Sequence, residues 1–329
     1  MNSSSSSPLH STPTTVTEGP GSDEPSPGVD ASTRLHPTGQ RALVLGGGGS
    51  TGNAWLIGVI AGLFDAGLDA TTADLTIGTS AGATAAAQLA GATPAELFAA
   101  ALAPVPQRAG APAVTNPRNP AKPVVDHLDR TARIIDASED MPDMRRRMGA
   151  AAIDMAEAMD GASARWRATV ATRLPQQSWP ERAVLLTAVD AQTGEPVVFD
   201  RHSGVELVDA VAASCASGFA YSIGNGRYID GGYRTNAENA DLAAGHARVL
   251  VLSPFGGQTR TPTKWHMHLA AQIDTLRGNG SRVETVFPEG ESEHMFGINA
   301  MDLSLRPAAA RAGFDQGRAL AGQLREFWQ

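Results

Sequence analysis

Cysteine is almost absent from this chain, which has one, Cys215, among 329 residues. No disulfide can therefore form within the chain, and a zinc site built from cysteines is excluded. Lysine is nearly as scarce, with Lys122 and Lys264 as its only examples, and the formal net charge is −8. This balance provides no basic face to follow a nucleic-acid backbone, so we expect no nucleic-acid partner.

Long apolar runs are lacking as well. No stretch reaches the roughly 18 apolar residues that a membrane-spanning helix needs, and the N-terminus has no charged start followed by an apolar segment. We therefore expect a soluble, cytoplasmic protein whose membrane or micelle contact is at most peripheral. The composition gives no indication of the oligomeric state.

Residues 1–40 are rich in Ser, Thr, Pro and Gly and contain few apolar side chains. Such a segment cannot repay the entropy lost on ordering, so a disordered tail is predicted. Residues 41–329 remain for one large domain or two modest ones. Within them, residues 104–180 are irregular, helix-like and interrupted by proline clusters.

Strand and helix patterns alternate along residues 41–329. The predicted strands are Arg41–Leu45, Asp74–Ile77, Ala183–Val189, Pro196–Phe199, Arg227–Ile229, Arg248–Ser253 and Arg282–Phe287. The predicted helices outside the 104–180 segment are Ala54–Ala66, Ala83–Ala90, Val205–Ala213 and one around Lys264–Arg277. This alternation predicts an α/β sandwich with a mostly parallel sheet.

A glycine run follows the first strand. Gly47, Gly49 and Gly52 satisfy the G-x-G-x-x-G pattern of dinucleotide-binding loops, which is a weak signal alone. A dinucleotide site also needs an acidic residue at the end of the second strand, which this chain lacks. A P-loop needs Lys and then Ser or Thr after the final glycine, where Asn53–Ala54 stand. The run therefore favours a different ligand.

The second strand ends in a G-x-S-x-G pattern, Gly78-Thr79-Ser80-Ala81-Gly82, directly before a helix. A nucleophile elbow requires this context, because its serine occupies a sharp strained turn and the small neighbours make room for it. The N-terminus of the following helix also favours negative charge beside Ser80. Ser80 is thus a candidate nucleophile, and an ordinary tight turn with an incidental serine is the alternative.

With a nucleophile nearby, the glycine run gains a role. Strands one and two are predicted to be parallel neighbours, which places both loops at the same edge of the sheet. Backbone N–H groups of Gly47, Gly48 and Gly49 can then form an oxyanion hole, in which each donor contributes about 3–4 kcal/mol to the transition state.

A serine nucleophile needs a base. Asp230 follows the strand Arg227–Ile229 and precedes two glycines, so its carboxylate can lie beside Ser80; a common Asp-Gly turn is the alternative. No histidine occupies an obvious strand-end turn. A Ser–acid–His triad that uses His246 or His294 remains open, because that order along the chain is permitted.

The succession of GGGSTG (47–52), GTSAG (78–82) and DGG (230–232) resembles the patatin-like phospholipase family, and the segment Leu207–Pro254 resembles the family's region around its catalytic Asp. The resemblance extends from Arg41 to about Gly317. It implies a bacterial patatin-like serine acyl hydrolase, folded as a three-layer α/β/α sandwich with a helical cap or lid over about 104–180. It also implies hydrolysis of lipid or other acyl esters by a Ser–Asp dyad, without a histidine, cofactor or metal.

Carried over by position, Ser80 is the nucleophile, Asp230 the base, Gly47–Gly49 the oxyanion hole, and Gly78 and Gly82 the glycines of the elbow. The family loop usually reads G-G-G-x-R-G, and Thr51 stands where its arginine falls. A non-catalytic lipid-binding protein of the same fold is a further alternative.

The 104–180 segment carries two features without an assigned role. Its methionines recur near helical spacing, which is typical of packing against a core, and a soft lining for alkyl chains is the alternative. These residues are Met141, Met144, Met148, Met155 and Met159. The run Arg145–Arg147 beside them is predicted to be either a solvated surface or a phosphate contact.

Overall fold

The computed structural model describes residues 31, 40–103 and 122–329, and within them eight strands form one central sheet in the order β5-β6-β3-β2-β1-β7-β8, with β4 also paired to β3. The strands are β1 Arg41–Leu45, β2 Leu75–Gly78, β3 Ala183–Asp190, β4 Pro196–Phe199, β5 Tyr221–Ile223, β6 Gly226–Asp230, β7 Arg248–Leu252 and β8 Arg282–Val286. The five-strand run β3-β2-β1-β7-β8 is parallel, and β6 and β4 lie antiparallel to β3.

Helices cover both faces of this sheet. They are α1 Gly49–Asp65, α2 Ala81–Gly91, α3 Pro94–Leu102, α4 Lys122–Asp136, α5 Met141–Glu157, α6 Ala162–Ala171, α7 Leu207–Ser214, α8 Leu269–Gly278 and α9 Arg306–Trp328. Alternate residues of β1 enter different cores, as the two-residue period of a strand requires. Leu43 and Leu45 pack in the core that holds Trp55 of α1, whereas Ala42 and Val44 pack with α8. The predicted three-layer sandwich is confirmed.

Helices α1 and α9 start at the same edge of the sheet and run side by side in the same direction. Their backbones approach so closely that a Cβ added to Gly58 or Gly62 of α1 would lie 2.2 or 2.1 Å from a carbonyl oxygen of α9. Gly313 and Gly317 of α9 meet the backbone of α1 in the same way, at 2.4 and 2.3 Å. Glycine on both helices therefore allows this contact.

Several boundaries differ from the sequence prediction. Helix α1 begins at Gly49 instead of Ala54, so the last glycines of the loop form its first turn. The turn of the predicted hairpin is Gly224–Asn225, one residue before the predicted Asn225–Gly226, because Ile223 pairs with Gly226. Helix α9 was not predicted at all.

The 104–180 segment is helical where it is described, from residue 122 onward. Met141, Met144 and Met148 are buried against Val189 of β3 and Ile229 of β6, so these three methionines pack in the core and do not line an alkyl-chain site. Met159 is exposed. Residues 104–121 and the predicted tail, apart from residues 31 and 40, lie outside the described residues.

The arginine run of α5 divides into two kinds. Arg145 is buried, and its guanidinium donates to the carbonyl oxygens of Gly194 (2.7 Å) and Arg234 (3.0 Å). Arg146 and Arg147 are exposed and pair with Asp143 on the same helix. Arg145 therefore supports the fold instead of lying on a solvated surface. None of the helices in the described part of the chain is long and apolar enough to span a bilayer.

Candidate active site

Ser80 occupies a strained turn between β2 and α2. Its backbone angles are φ 53° and ψ −112°, in the positive-φ region that non-glycine residues rarely adopt. The turn is tight because α2 passes close to the end of β1: a Cβ added to Gly82 would lie 1.8 Å from the carbonyl oxygen of Leu45. The backbone at GTSAG thus has the sharp geometry that the motif predicts, and the Ser80 side chain stands at the C-terminal end of β2.

Strand β3 brings Asp230 to the same place. At Leu186, β3 pairs with Gly78 of β2 on one edge and with β4 on the other. Two residues later, at Ala188, β3 pairs with Asp230 of β6 while it still pairs with β4. Strands β2 and β6 therefore share one edge of β3, where their C-terminal ends face each other.

The two side chains are in contact. The Ser80 hydroxyl donates to Asp230 Oδ2 at 2.7 Å, and the N–H of Gly232 donates to Asp230 Oδ1 at 2.8 Å. Asp230 is 6% exposed, whereas Ser80 is partly accessible. Burial raises the pKa of Asp230 to about 6, and the hydrogen bonds from Gly232 and Ser80 oppose part of that rise. A carboxylate with this pKa is a better base than an ordinary aspartate.

The glycine loop lies against this pair. A Cβ added to Gly47 would lie 3.6 Å from Ser80 Cβ. The Gly47 N–H already donates to the carbonyl oxygen of Ala237 at 2.7 Å, so it is not a free oxyanion donor. Gly48 caps α1 and Gly49 is its first residue, with φ +62°, and their N–H groups have no partner among the described residues. The loop therefore offers two free donors.

Neighbouring polar groups that sequence reasoning missed hold the turn from α7. The Ser214 hydroxyl accepts the N–H of Ser80 at 2.9 Å, and the Cys215 thiol donates to the Ser80 carbonyl oxygen at 3.1 Å. Both lie at the end of α7 in a small-residue stretch with no spacing signal. Only the fold brings them within reach.

A second missed residue, Asn239, links the two halves of the site. Its side-chain amide donates to Thr79 Oγ1 at 3.0 Å and to the carbonyl oxygen of Gly231 at 3.0 Å. Thr79 precedes Ser80 and Gly231 follows Asp230. Asn239 is fully buried and has φ +56°, so it is fixed in place and couples the two loops that carry these side chains.

Thr51 occupies the loop position at which the G-G-G-x-R-G pattern has an arginine. Thr51 is buried, and its N–H donates to the carbonyl oxygen of Ala300 at 3.0 Å. The guanidinium of Arg306, at the start of α9, donates to the Ser50 carbonyl oxygen at 2.9 Å and lies 3.4 Å from Asn53 Oδ1. A cation from a distant part of the chain thus holds the turn in which Thr51 stands.

Neither candidate histidine reaches Ser80. His246 is buried and precedes β7, at the opposite edge of the sheet, where its Nδ1 lies 3.2 Å from the Ala243 carbonyl oxygen. His294 is exposed, with Nδ1 2.8 Å from the Glu291 carbonyl oxygen. Among the residues that the structure describes, Asp230 is the only titratable side chain hydrogen-bonded to the Ser80 hydroxyl.

Comparison with known proteins agrees with the motifs. A family model described as patatin-like phospholipase matches residues 43–243, a span that includes the glycine loop, Ser80 and Asp230. Among solved structures, VipD from Legionella pneumophila is similar, with 13% identity and a TM-score of 0.38 over 88% of this chain and 67% of that chain. No curated protein matches.

Proposed function

This chain belongs to the patatin-like phospholipase family, and membership of that family indicates a lipid acyl hydrolase. We propose that the chain cleaves carboxylic esters of lipids through a Ser80–Asp230 dyad. The observation that carries the proposal is the 2.7 Å hydrogen bond from the Ser80 hydroxyl to a buried carboxylate at a strained strand-to-helix turn. A structural serine has no need of that combination.

The proposed reaction has two stages. Asp230 accepts the Ser80 proton as the serine oxygen attacks the ester carbonyl, and the Gly48 and Gly49 N–H groups receive the oxyanion of the tetrahedral intermediate. Asp230 then gives this proton to the leaving alcohol, and an acyl-enzyme remains on Ser80. In the second stage Asp230 accepts a proton from water as the water oxygen attacks the acyl group. Asp230 then returns this proton to the Ser80 oxygen as the bond to the acyl group breaks and the fatty acid leaves.

Electrostatics support this assignment of roles. The backbone N–H of Gly232 holds one oxygen of Asp230 at 2.8 Å, which leaves the other oxygen directed at Ser80. Helix α2 begins at Ala81, directly after Ser80, so the positive end of its dipole favours the negative charge that develops there. Base, nucleophile and donors thus come from separate rigid elements.

The first experiment measures hydrolysis of a soluble short-chain ester and labelling by a fluorophosphonate probe. We expect Ser80→Ala and Asp230→Asn each to lower the rate of hydrolysis by about a thousandfold or more. A nucleophile and its base act together, so the loss of either one removes most of their joint contribution. Ser80→Ala should also abolish labelling. The matched controls are Ser304→Ala and Asp154→Asn, which change an exposed serine and an exposed aspartate outside the site.

Two outcomes would contradict the proposal. Full activity of Asp230→Asn would remove the carboxylate from the mechanism. A wild-type protein that neither hydrolyses esters nor reacts with the probe would instead favour the alternative of a non-catalytic lipid-binding protein, because an unreactive serine at this turn cannot serve as a nucleophile.

A further inference from the structure

Three large apolar side chains stand exposed in one short segment, Phe296–Leu303, between β8 and α9. Ile298 is 52% exposed, Met301 57% and Leu303 47%. Exposed apolar residues are ordinary when scattered, but three within six positions form a local patch of the kind that marks an interaction site. We call these three residues the apolar rim.

The apolar rim is held rigidly in its exposed position. Phe296 and Ala300 of the same segment are buried, and the Phe296 ring packs edge-on against Trp55 of α1 with centroids 6.3 Å apart. The Ala300 carbonyl oxygen accepts the N–H of Thr51 at 3.0 Å. The buried residues therefore anchor the segment, and the exposed ones point away from the core.

The apolar rim is also continuous with the candidate active site. A Cβ added to Gly49 would lie 2.7 Å from the Ala300 carbonyl oxygen and 3.0 Å from Met301 Sδ, so this segment covers the start of α1. Gly49 supplies one of the two free N–H groups of the glycine loop. A surface that binds the rim is thus placed next to the loop that faces Ser80.

Charge limits what that surface can be. Four exposed carboxylates flank the rim in sequence, and they are Glu289, Glu291, Glu293 and Asp302. Arg306, which follows the rim in the chain, is engaged with Ser50 and Asn53. An anionic bilayer is repelled by such a surrounding, whereas a zwitterionic or neutral lipid surface is not.

From the juxtaposition of Ile298, Met301 and Leu303 with the glycine loop, we infer that the apolar rim docks on a zwitterionic or neutral lipid surface and so presents acyl esters to Ser80. This inference rests on the proposed function. Each rim side chain is already about half buried, so its insertion removes the remaining apolar area from water and adds to binding without any charge attraction.

The test uses the full chain with Ser80→Ala, so that lipid is not consumed, and flotation with vesicles of phosphatidylcholine. We expect Ile298→Ser/Leu303→Ser in this background to weaken binding about tenfold or more. Met301 is left unchanged because it contacts Gly49. The matched control is Phe64→Ser, which removes a side chain of similar exposure (43%) at the far end of α1.

A second measurement keeps catalysis separate from docking. With Ser80 restored, Ile298→Ser/Leu303→Ser should hydrolyse a soluble short-chain ester within about twofold of the wild-type rate. If the wild type fails on the soluble ester, the proposed function fails; if it succeeds and the rim variant binds phosphatidylcholine vesicles like its parent, the docking inference alone fails. If a rim substitution instead dissociates a dimer in solution, the docking inference is overturned, and the apolar rim binds a second copy of this chain.

The carboxylates give an independent check that does not depend on the rim variant folding. At low salt, addition of phosphatidylglycerol to the vesicles should weaken binding of the parent, and Glu291→Gln/Glu293→Gln should restore part of it. Stronger binding of the parent to the anionic vesicles would overturn the inference.

Discussion

At the scale of single residues, the environment of Asp230 decides when the site can work. The carboxyl group is 6% exposed, and burial raises its pKa to about 6 because the charged form loses its hydration. As the proposed general base, Asp230 must be deprotonated to accept the Ser80 proton. The same burial that makes the carboxylate a stronger base therefore also restricts its action to the pH range above its pKa.

We expect the rate of hydrolysis of a soluble ester to rise as the pH increases through about 6 and to level off above that value.

The free energy of unfolding should change with pH in the opposite direction. With a folded pKa of about 6 and an ordinary value of 3.8, the folded state binds more protons than the unfolded state between these pH values, so the free energy of unfolding decreases as the pH rises across that window.

Asp230→Asn should therefore be more stable than the wild type at pH 8, by about 3 kcal/mol at most, and the difference should vanish below pH 4. Urea denaturation at the two pH values measures it. Glu238 is buried, has a pKa raised to about 7 by burial, and adds a slope of the same sign, so the wild type and the variant must be compared at each pH. Equal free energies of unfolding for the wild type and Asp230→Asn at pH 8 would show that burial does not raise the pKa of Asp230.

Sequence reasoning reached Ser80 and Asp230 because each follows a predicted strand and is flanked by glycine, which is a local signal. Asn239 and Ser214 have no such signal. Their hydrogen bonds join residues more than a hundred positions apart, to Thr79 and Ser80, and exist only because β2, β6 and α7 converge. The sequence analysis also predicted Gly47 as an oxyanion donor, and only the structure shows that its N–H donates to the Ala237 carbonyl oxygen.

At the scale of elements, the contact between α1 and α9 fixes the frame on which the glycine loop is built. The two helices carry glycine four residues apart at the crossing, Gly58 and Gly62 on one and Gly313 and Gly317 on the other. Without side chains there, each backbone packs directly on the other, and Trp55 and Trp328 are buried in the same core. The position of α1, and with it of Gly48 and Gly49, depends on this close approach.

Gly62→Ala should destabilise the protein by about 1–3 kcal/mol, because the added methyl group would lie 2.1 Å from the Phe314 carbonyl oxygen and the helices must separate. The matched control is Gly322→Ala in α9, whose added Cβ has no neighbour within 4 Å. That change should instead stabilise by about 0.5–1 kcal/mol through helix propensity. Thermal unfolding measures both, and a neutral Gly62→Ala would show that the crossing tolerates a wider spacing.

Helix prediction failed at this contact for the same physical reason. Glycine lowers the intrinsic propensity for a helix, and α9 contains Gly313, Gly317 and Gly322 among short side chains, so its pattern of large apolar residues is weak. Helix α1 likewise begins in the glycine run, where a sequence pattern indicates a loop. Seven of the eight strands in the described part of the chain were predicted closely, and β1, β3, β4 and β7 among them are buried apolar runs bounded by polar or turn residues. The three-residue strand β5 was not predicted.

At the scale of the whole molecule, the candidate site is assembled from both ends of the described chain. The glycine loop follows β1, yet the groups that hold its far side are the Ala300 carbonyl oxygen and the Arg306 guanidinium, each about 250 positions later. Arg306 also lies near Asn53, whose side-chain amide donates to Gln88 Oε1 at 3.0 Å. The C-terminal helix thus braces both helices that begin at the site.

Arg306→Gln should lower kcat for a soluble ester by about tenfold and leave KM nearly unchanged, because the substitution lets the Gly48 and Gly49 donors shift by a fraction of an ångström without removing a substrate contact. The kcat of Arg306→Lys should fall between those of the wild type and Arg306→Gln, since one ammonium group keeps the charge but cannot span Ser50 and Asn53 as a guanidinium does. The matched control is Arg318→Gln on the same helix, where the exposed pair with Asp65 contributes little. If Arg306→Gln and Arg318→Gln have equal kcat, α9 supports the fold alone and the glycine loop keeps its geometry without this distant cation.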